Sequence, residues 1–167
     1  MENLYLLLVI VLAVLAIGDL IVGVSNDAVN FLNSAVGSKA ISLRTIMILA
    51  GLGVAFGAFF SSGLMEVARK GIFNPGEFYF DEIILIFTAV MLTDILLLDF
   101  FNTLGMPTST TVSIVFELLG AAVFMSLIKI TSSSGEISDL INYINTSKAI
   151  QIISGIVLSI IVALTVG

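Results

Sequence analysis

An all-α, polytopic membrane protein is what this sequence predicts, and three observations carry that expectation. Of its 167 residues, 59% are hydrophobic and 11% charged, and the mean hydropathy is +1.21. A soluble domain is about 45–50% apolar and about 25% charged, and one of this size has too little interior to bury such an excess. Five apolar segments recur at about the 20-residue length that a bilayer requires. Their even apolar runs lack the two-residue alternation of a membrane barrel, so the spans are helices.

The first segment runs from about Leu4 to Val24. It has no basic stretch before it and no small-residue cleavage site, so it reads as a retained span rather than a signal peptide. The second, about Ile41 to Leu64, carries Gly51, Gly53, Gly57 and Gly63. The pair Gly53 and Gly57 has the GxxxG spacing that lets two helices approach closely. A dinucleotide fingerprint is excluded, because the spacing is GxGxxxG and no strand precedes it. The third segment is about Ile83 to Phe101, the fourth about Thr108 to Ile130 and the fifth about Ala149 to Val166.

Three connections are polar: Asn33–Arg44, Met65–Glu82 and Thr131–Lys148. The connection Asn102–Pro107 is short and barely polar, which predicts a broken or re-entrant helix at membrane depth rather than a surface turn. The expected organisation is a unit of about four membrane segments over 1–130, a polar loop over 131–148, and a further transmembrane segment over 149–167. That last segment ends without a polar flank, so it is expected to be truncated.

Composition also excludes functions. The chain has no cysteine and no histidine, which removes thiolate metal sites, the commonest transition-metal ligand and the usual proton shuttle near neutral pH. A net charge of -6 argues against nucleic acid as a partner. There is no GxxxxGK[ST] phosphate loop, and no constellation of paired acids supports an intramembrane enzyme.

The most informative stretch is Ile17–Ser42. It places Asp19, Asn26, Asp27, Asn30 and Asn33 where a simple anchor would carry leucine. An ionised Asp near a bilayer centre costs roughly 2.5–3.5 kcal/mol on insertion scales. Asp19, Gly23, Asn26, Asn30, Asn33 and Gly37 are spaced at helical period, so they form one stripe, with Asp27 and Ser34 flanking it. The stripe is either a polar face packed against other helices or a line of oxygen ligands facing a cavity. Its glycines would leave room for an ion and permit the helix to break.

A second motif is Gly105-Met106-Pro107-Thr108-Ser109-Thr110-Thr111. Pro107 suits the first turn of a helix. The hydroxyls that follow sit among the free N–H groups of that turn, where the dipole favours an anion. Ordinary N-capping by Ser or Thr is the alternative.

Taken together, the motifs point to a secondary transporter, in which interrupted helices present their N-termini to an anionic substrate. The apolar spans hold Lys or Arg only near their ends, Arg44 and Lys129, so an anion at membrane depth would need another source of positive charge, which bound cations could provide. Asn, Asp, Ser and Thr oxygens suit a hard cation such as sodium, and cation and anion attract strongly at low dielectric.

Further acids lie within the spans. Thr110, Ser113, Glu117 and Gly120 follow helical spacing, so Glu117 is expected to line the same cavity. Asp94 and Asp99 are about 140° apart on a helix and are expected to face different surroundings. Hydrogen bonding between helices is the alternative role for all three acids.

Both motifs resemble those of the inorganic phosphate transporter (PiT) family of sodium- or proton-coupled phosphate symporters. The family's first signature runs roughly G-A-N-D-V-A-N-A-F-G-T-S-V-G-S. Asn26, Asp27, Asn30, Val36, Gly37 and Ser38 match it, and Pro107, Ser109, Thr110 and Thr111 match its P-x-S-T-T-H. Ala68-Arg69-Lys70-Gly71-Ile72 is similar to its I-R-K-G-I segment. Departures are Val112 where histidine is common, Val24 and Phe116 where glycine is common, and the lack of an acid in the second span before Glu66.

The resemblance implies an inverted repeat, of which this chain would be the N-terminal half and would supply half a binding site. It implies sodium-coupled symport of inorganic phosphate in a cell membrane, with sodium as coupling ion and no other cofactor. Asn26, Asp27 and Asn30 are the expected sodium ligands. Ser109, Thr110, Thr111 and Asp27 are expected to contact phosphate, and Asp19, Ser34 and Glu117 to line the cavity. Expected partners are the lipid bilayer and the missing C-terminal half, or a second copy of the chain. The alternatives are coupling to protons, a related oxyanion such as sulfate, a cation channel or a non-transporting membrane subunit.

Overall fold

The computed structural model describes residues 2–61 and 71–166, with side chains from Leu4 onward. Helix α1 spans Glu2–Ser38 and α2 spans Leu43–Phe59. They are followed by α3 (Phe80–Leu104), α4 (Thr110–Ser132), the single turn α5 (Leu140–Tyr143) and α6 (Thr146–Val166). Among the described residues, α1, α3, α4 and α6 are long and apolar enough to cross a membrane. Helix α2, with 17 residues, is a shorter apolar helix. The rest of the second span (62–64), the start of the polar connection (65–70) and the matched residues Ala68, Arg69 and Lys70 lie outside the described residues. Large apolar side chains cover the outer surface of the helices, Leu20, Phe59, Leu96 and Leu164 among them, as a lipid-facing protein requires. The protein is a multi-pass helical membrane protein.

Two differences from the sequence reading matter. Helix α1 continues without a break through Gly18, Gly23 and the whole polar stripe. Its 37 residues extend roughly 55 Å, well beyond the about 30 Å of a hydrocarbon core. Asn26 and Asn30 donate to the Thr108 carbonyl rather than to the backbone of their own helix, which leaves the ladder there undisturbed. Second, Gly53 and Gly57 do not bring helices together here: a Cβ built at Gly51, Gly53 or Gly57 would meet nothing within 4 Å.

The predicted interruption does occur, over Gly105–Ser109, and it joins two helices of spanning length. Gly105 ends α3 in the left-handed conformation, with φ of 67°, which a residue with a Cβ adopts at a cost. Ser109 restarts the helix by accepting from the Val112 N–H at 3.4 Å.

Helix α3 lies between α1 and α4. Ile86, Val90, Asp94, Leu98 and Asn102 recur every fourth residue along it, and the first four are buried. On α4, Leu118, Ala122, Ser126 and Ile130 form the matching buried row, and the fully buried Ala122 and Ser126 permit close approach. Tyr5 stacks on Phe80 at one end of the bundle, while Asn102 reaches the Val22 carbonyl at the other. Thus α1 and α3 run parallel, as two spans separated by one returning span must.

A cap closes the end opposite the interruption. Phe73 and Ile144 form an antiparallel bridge, supported by Asn74 N–H to Tyr143 O (2.8 Å) and Asn145 N–H to Ile72 O (3.0 Å). Lys129 fastens this cap to α3. Its Nζ donates to Glu82 Oε2 and to the Glu77 carbonyl, both at 2.8 Å, and sits 4.5 Å from the Tyr79 ring centroid. Both charged side chains are largely screened from solvent, at 19% and 17% exposure. Lys129→Met is expected to lower stability by about 1.5–3 kcal/mol, the worth of hydrogen bonds to a charged group. Thermal unfolding in detergent checks this, and an unchanged midpoint would show the clamp to be idle.

Candidate functional site

The two motifs meet where the middle of α1 passes the interruption between α3 and α4. Asn26 is buried, at 1% exposure, and its Nδ2 donates to the Thr108 carbonyl at 3.0 Å. Asn30, one turn later, donates to the same carbonyl at 2.8 Å. That carbonyl belongs to non-helical backbone and lacks an intrahelical donor, so two amides satisfy it. An amide that donates through Nδ2 keeps its Oδ1 as an acceptor. Both Asn residues therefore retain an oxygen suited to a hard cation. Thr110 Oγ1 donates to Asp27 Oδ1 at 3.3 Å, a long contact that links the acid to the first turn of α4.

Asp27 also lines a cleft of about 480 Å³ between α1 and α2, together with Val24, Ala28, Phe31, Met47 and Gly51. Here the uncovered glycine face of α2 has a consequence, since the absence of side chains at Gly51 and Gly53 leaves space beside the carboxylate.

Not every expected residue joins this place. Ser109 is exposed, and its hydroxyl caps α4. Thr111 is exposed on α4, and Ser34 and Asn33 are exposed beyond the point where α1 meets its neighbours. The stripe is thus buried only in part, because α1 outruns α3 and α4. Asp19 and Glu117 lie elsewhere, and Ser113 Oγ donates to Glu117 Oε1 at 2.7 Å. Asp99 is exposed, so the two acids of α3 do face different surroundings.

One participant was missed by sequence reasoning: the Thr108 carbonyl is backbone, and no residue type announces it.

A long apolar helix bundle, a helix N-terminus that faces a carboxylate, and amide oxygens beside an interrupted backbone together define a multi-pass membrane protein with a polar site at an interrupted helix. The model of the phosphate transporter family matches residues 23–167, and the chain belongs to that family. This bears out the resemblance read from the two motifs. Candidate phosphate permeases of Thermococcus kodakarensis and Pyrococcus furiosus are 36% and 37% identical to it over 99 residues, which cover 58% of this chain and 24% of each relative. A candidate phosphate permease of Helicobacter pylori is 34% identical over 99 residues, 58% of this chain and 19% of that relative. The chain therefore matches about a quarter or less of the length of these relatives. No solved structure matches it significantly.

Proposed function

We propose that this chain contributes half of the binding site of a sodium-coupled symporter of inorganic phosphate. The observation that carries the reading is the convergence of Asn26, Asp27 and Asn30 on Thr108 and Thr110. A cation held by the Asp27 carboxylate and the Asn26 and Asn30 amide oxygens offsets the charge of that acid. It would lie beside the N–H groups of the first turn of α4, which attract phosphate. Each ion then favours the binding of the other, which is the physical basis of coupling. Thr110 is the hydroxyl best placed to touch both. Ser109 and Thr111 contribute to phosphate through backbone N–H groups or through a rotation of their side chains. The second motif pair required for a complete site belongs to a C-terminal half related by inverted symmetry.

Uptake of labelled phosphate into vesicles that contain the intact protein tests this. A sodium gradient is expected to drive accumulation above the external concentration, whereas a choline gradient is not. Equal accumulation with both would sink sodium coupling, and preferential uptake of sulfate would sink the substrate. Conductance without accumulation would identify a channel.

A further inference from the structure

Asp27 faces two ways. One of its oxygens accepts from Thr110 on α4, and the side chain also lines the cleft between α1 and α2. Among the described residues that line this cleft, Asp27 is the only polar one. Its neighbours there include Phe31 on α1 and Met47, Gly51, Gly53 and Val54 on α2. Phe31 follows Asp27 by about one helical turn, so a carboxylate and an aromatic ring share one wall. The opposite wall is smooth, because a Cβ at Gly51 or Gly53 would meet nothing within 4 Å. Phe31 is 77% exposed, and Met47 and Val54 are exposed as well, so the cleft opens outward between the two helices.

This chemistry fits one class of ligand. The cleft volume of about 480 Å³ lies within the roughly 300–1,000 Å³ of small-molecule sites, which are mostly apolar with a few polar groups that fix orientation. The polar group here is an acid. Among the described residues no basic side chain pairs with it, since Lys129 makes the one ion pair, with Glu82. A carboxylate against an apolar wall is costly unless a positive charge meets it. A metal ion gains nothing from the apolar remainder of the cleft, whereas an organic cation gains from both parts. Its ammonium group is attracted by the carboxylate and by the face of an aromatic ring. Its apolar body covers the glycine wall and the adaptable thioether of Met47.

We propose that this cleft binds a lipophilic organic cation, with the ammonium group held by Asp27 and Phe31 and the apolar body laid along the glycine face of α2. Such a ligand reaches the cleft from its outward opening. A quaternary ammonium is too bulky to be surrounded by the Asn26 and Asn30 amide oxygens, so it occupies Asp27 without completing the cation site. Binding is therefore expected to exclude sodium. That exclusion rests on the symporter reading; binding to the cleft does not.

Equilibrium dialysis of labelled hexyltrimethylammonium against the intact protein in dodecyl maltoside tests the proposal. Saturable binding is expected. Choline has the charged head without the apolar tail, and hexanol has the tail without the charge; each is expected to compete less well by about tenfold or more. Asp27→Asn removes the charge and Gly51→Leu fills the cleft, and each is expected to weaken binding by about tenfold or more. Leucine at position 51 enters open space, and an unchanged thermal midpoint shows that each variant is folded. Where a variant unfolds, the selectivity of the wild type among the three probes decides. Absence of saturable binding, equal competition by hexanol, or wild-type binding by folded Asp27→Asn or Gly51→Leu would each overturn the proposal. Binding is also absent if another helix of the intact protein fills the cleft. Absent binding with intact sodium-driven phosphate uptake would reject the cleft site and leave the symporter reading standing. Selective binding that sodium does not displace would uphold the cleft site and count against Asp27 as a sodium ligand.

Discussion

Asp27→Asn is expected to abolish sodium-driven phosphate uptake by the intact protein while leaving membrane insertion and folding unchanged. The substitution keeps the size and one oxygen of the side chain but removes its charge. Thr110 can still donate to the remaining oxygen, so the first turn of α4 stays in register with α1. What is lost is the compensation between a bound cation and the acid. Hydrogen bonds to charged groups are worth about 1.5–3 kcal/mol, which corresponds to roughly a ten- to hundredfold loss of affinity for each ion–carboxylate contact. Binding of the two ions is mutually dependent, so phosphate affinity falls together with cation affinity. Labelled-phosphate uptake, normalised to the amount of folded protein in the membrane, measures the effect. Wild-type uptake by Asp27→Asn would remove Asp27 from the site. Thr110→Val separates the roles of the partners: it removes the hydroxyl but leaves the charge, and is expected to weaken uptake less.

Phe73→Ala is expected to have the largest effect on stability. Phe73 is 1% exposed and packs edge-on against Phe78 (5.5 Å between centroids) and Phe87 (6.4 Å). It also pairs with Ile144 across the cap and belongs to the cluster that holds Ile86 and Val90 of α3 to Leu118 and Ala122 of α4. Truncating such a side chain leaves a cavity and removes many close contacts, at about 3–5 kcal/mol. The loss should loosen the polar connections at that end, which are held by few backbone hydrogen bonds. Phe59→Ala makes a fair control, because Phe59 is 89% exposed and its loss is expected to stay within about 0.5 kcal/mol. Thermal unfolding of both variants in the same detergent compares them. Equal midpoints would show that the cap does not stabilise the bundle.

How far the site could be read in advance varies by residue. Asn26, Asp27 and Asn30 were legible because polar groups in an apolar run are costly, and their spacing placed them on one helical face. The interruption at Gly105–Ser109 was legible from Gly105, Pro107 and the hydroxyls after it. Ser109 was expected to contact substrate, and its hydroxyl accepts from the Val112 N–H of its own helix, a local cap that Ser at this position equally announces. The glycines of α2 promised a helix contact and instead border a cleft beside Asp27. Spacing announces that a face is smooth without naming what lies against it.

By itself the sequence determined the class of protein, the approximate spans and the two polar motifs. Those properties depend on local hydropathy and on the 3.6-residue period of the helix, and both are written along the chain. Only the tertiary structure decided that Asn26 and Asn30 hold the Thr108 carbonyl and that Thr110 meets Asp27. Each of these depends on the parallel course of α1 beside α3 and on how far α1 extends past its neighbours. Contacts between residues some 80 positions apart are set by the packing of whole helices, and no local pattern encodes them.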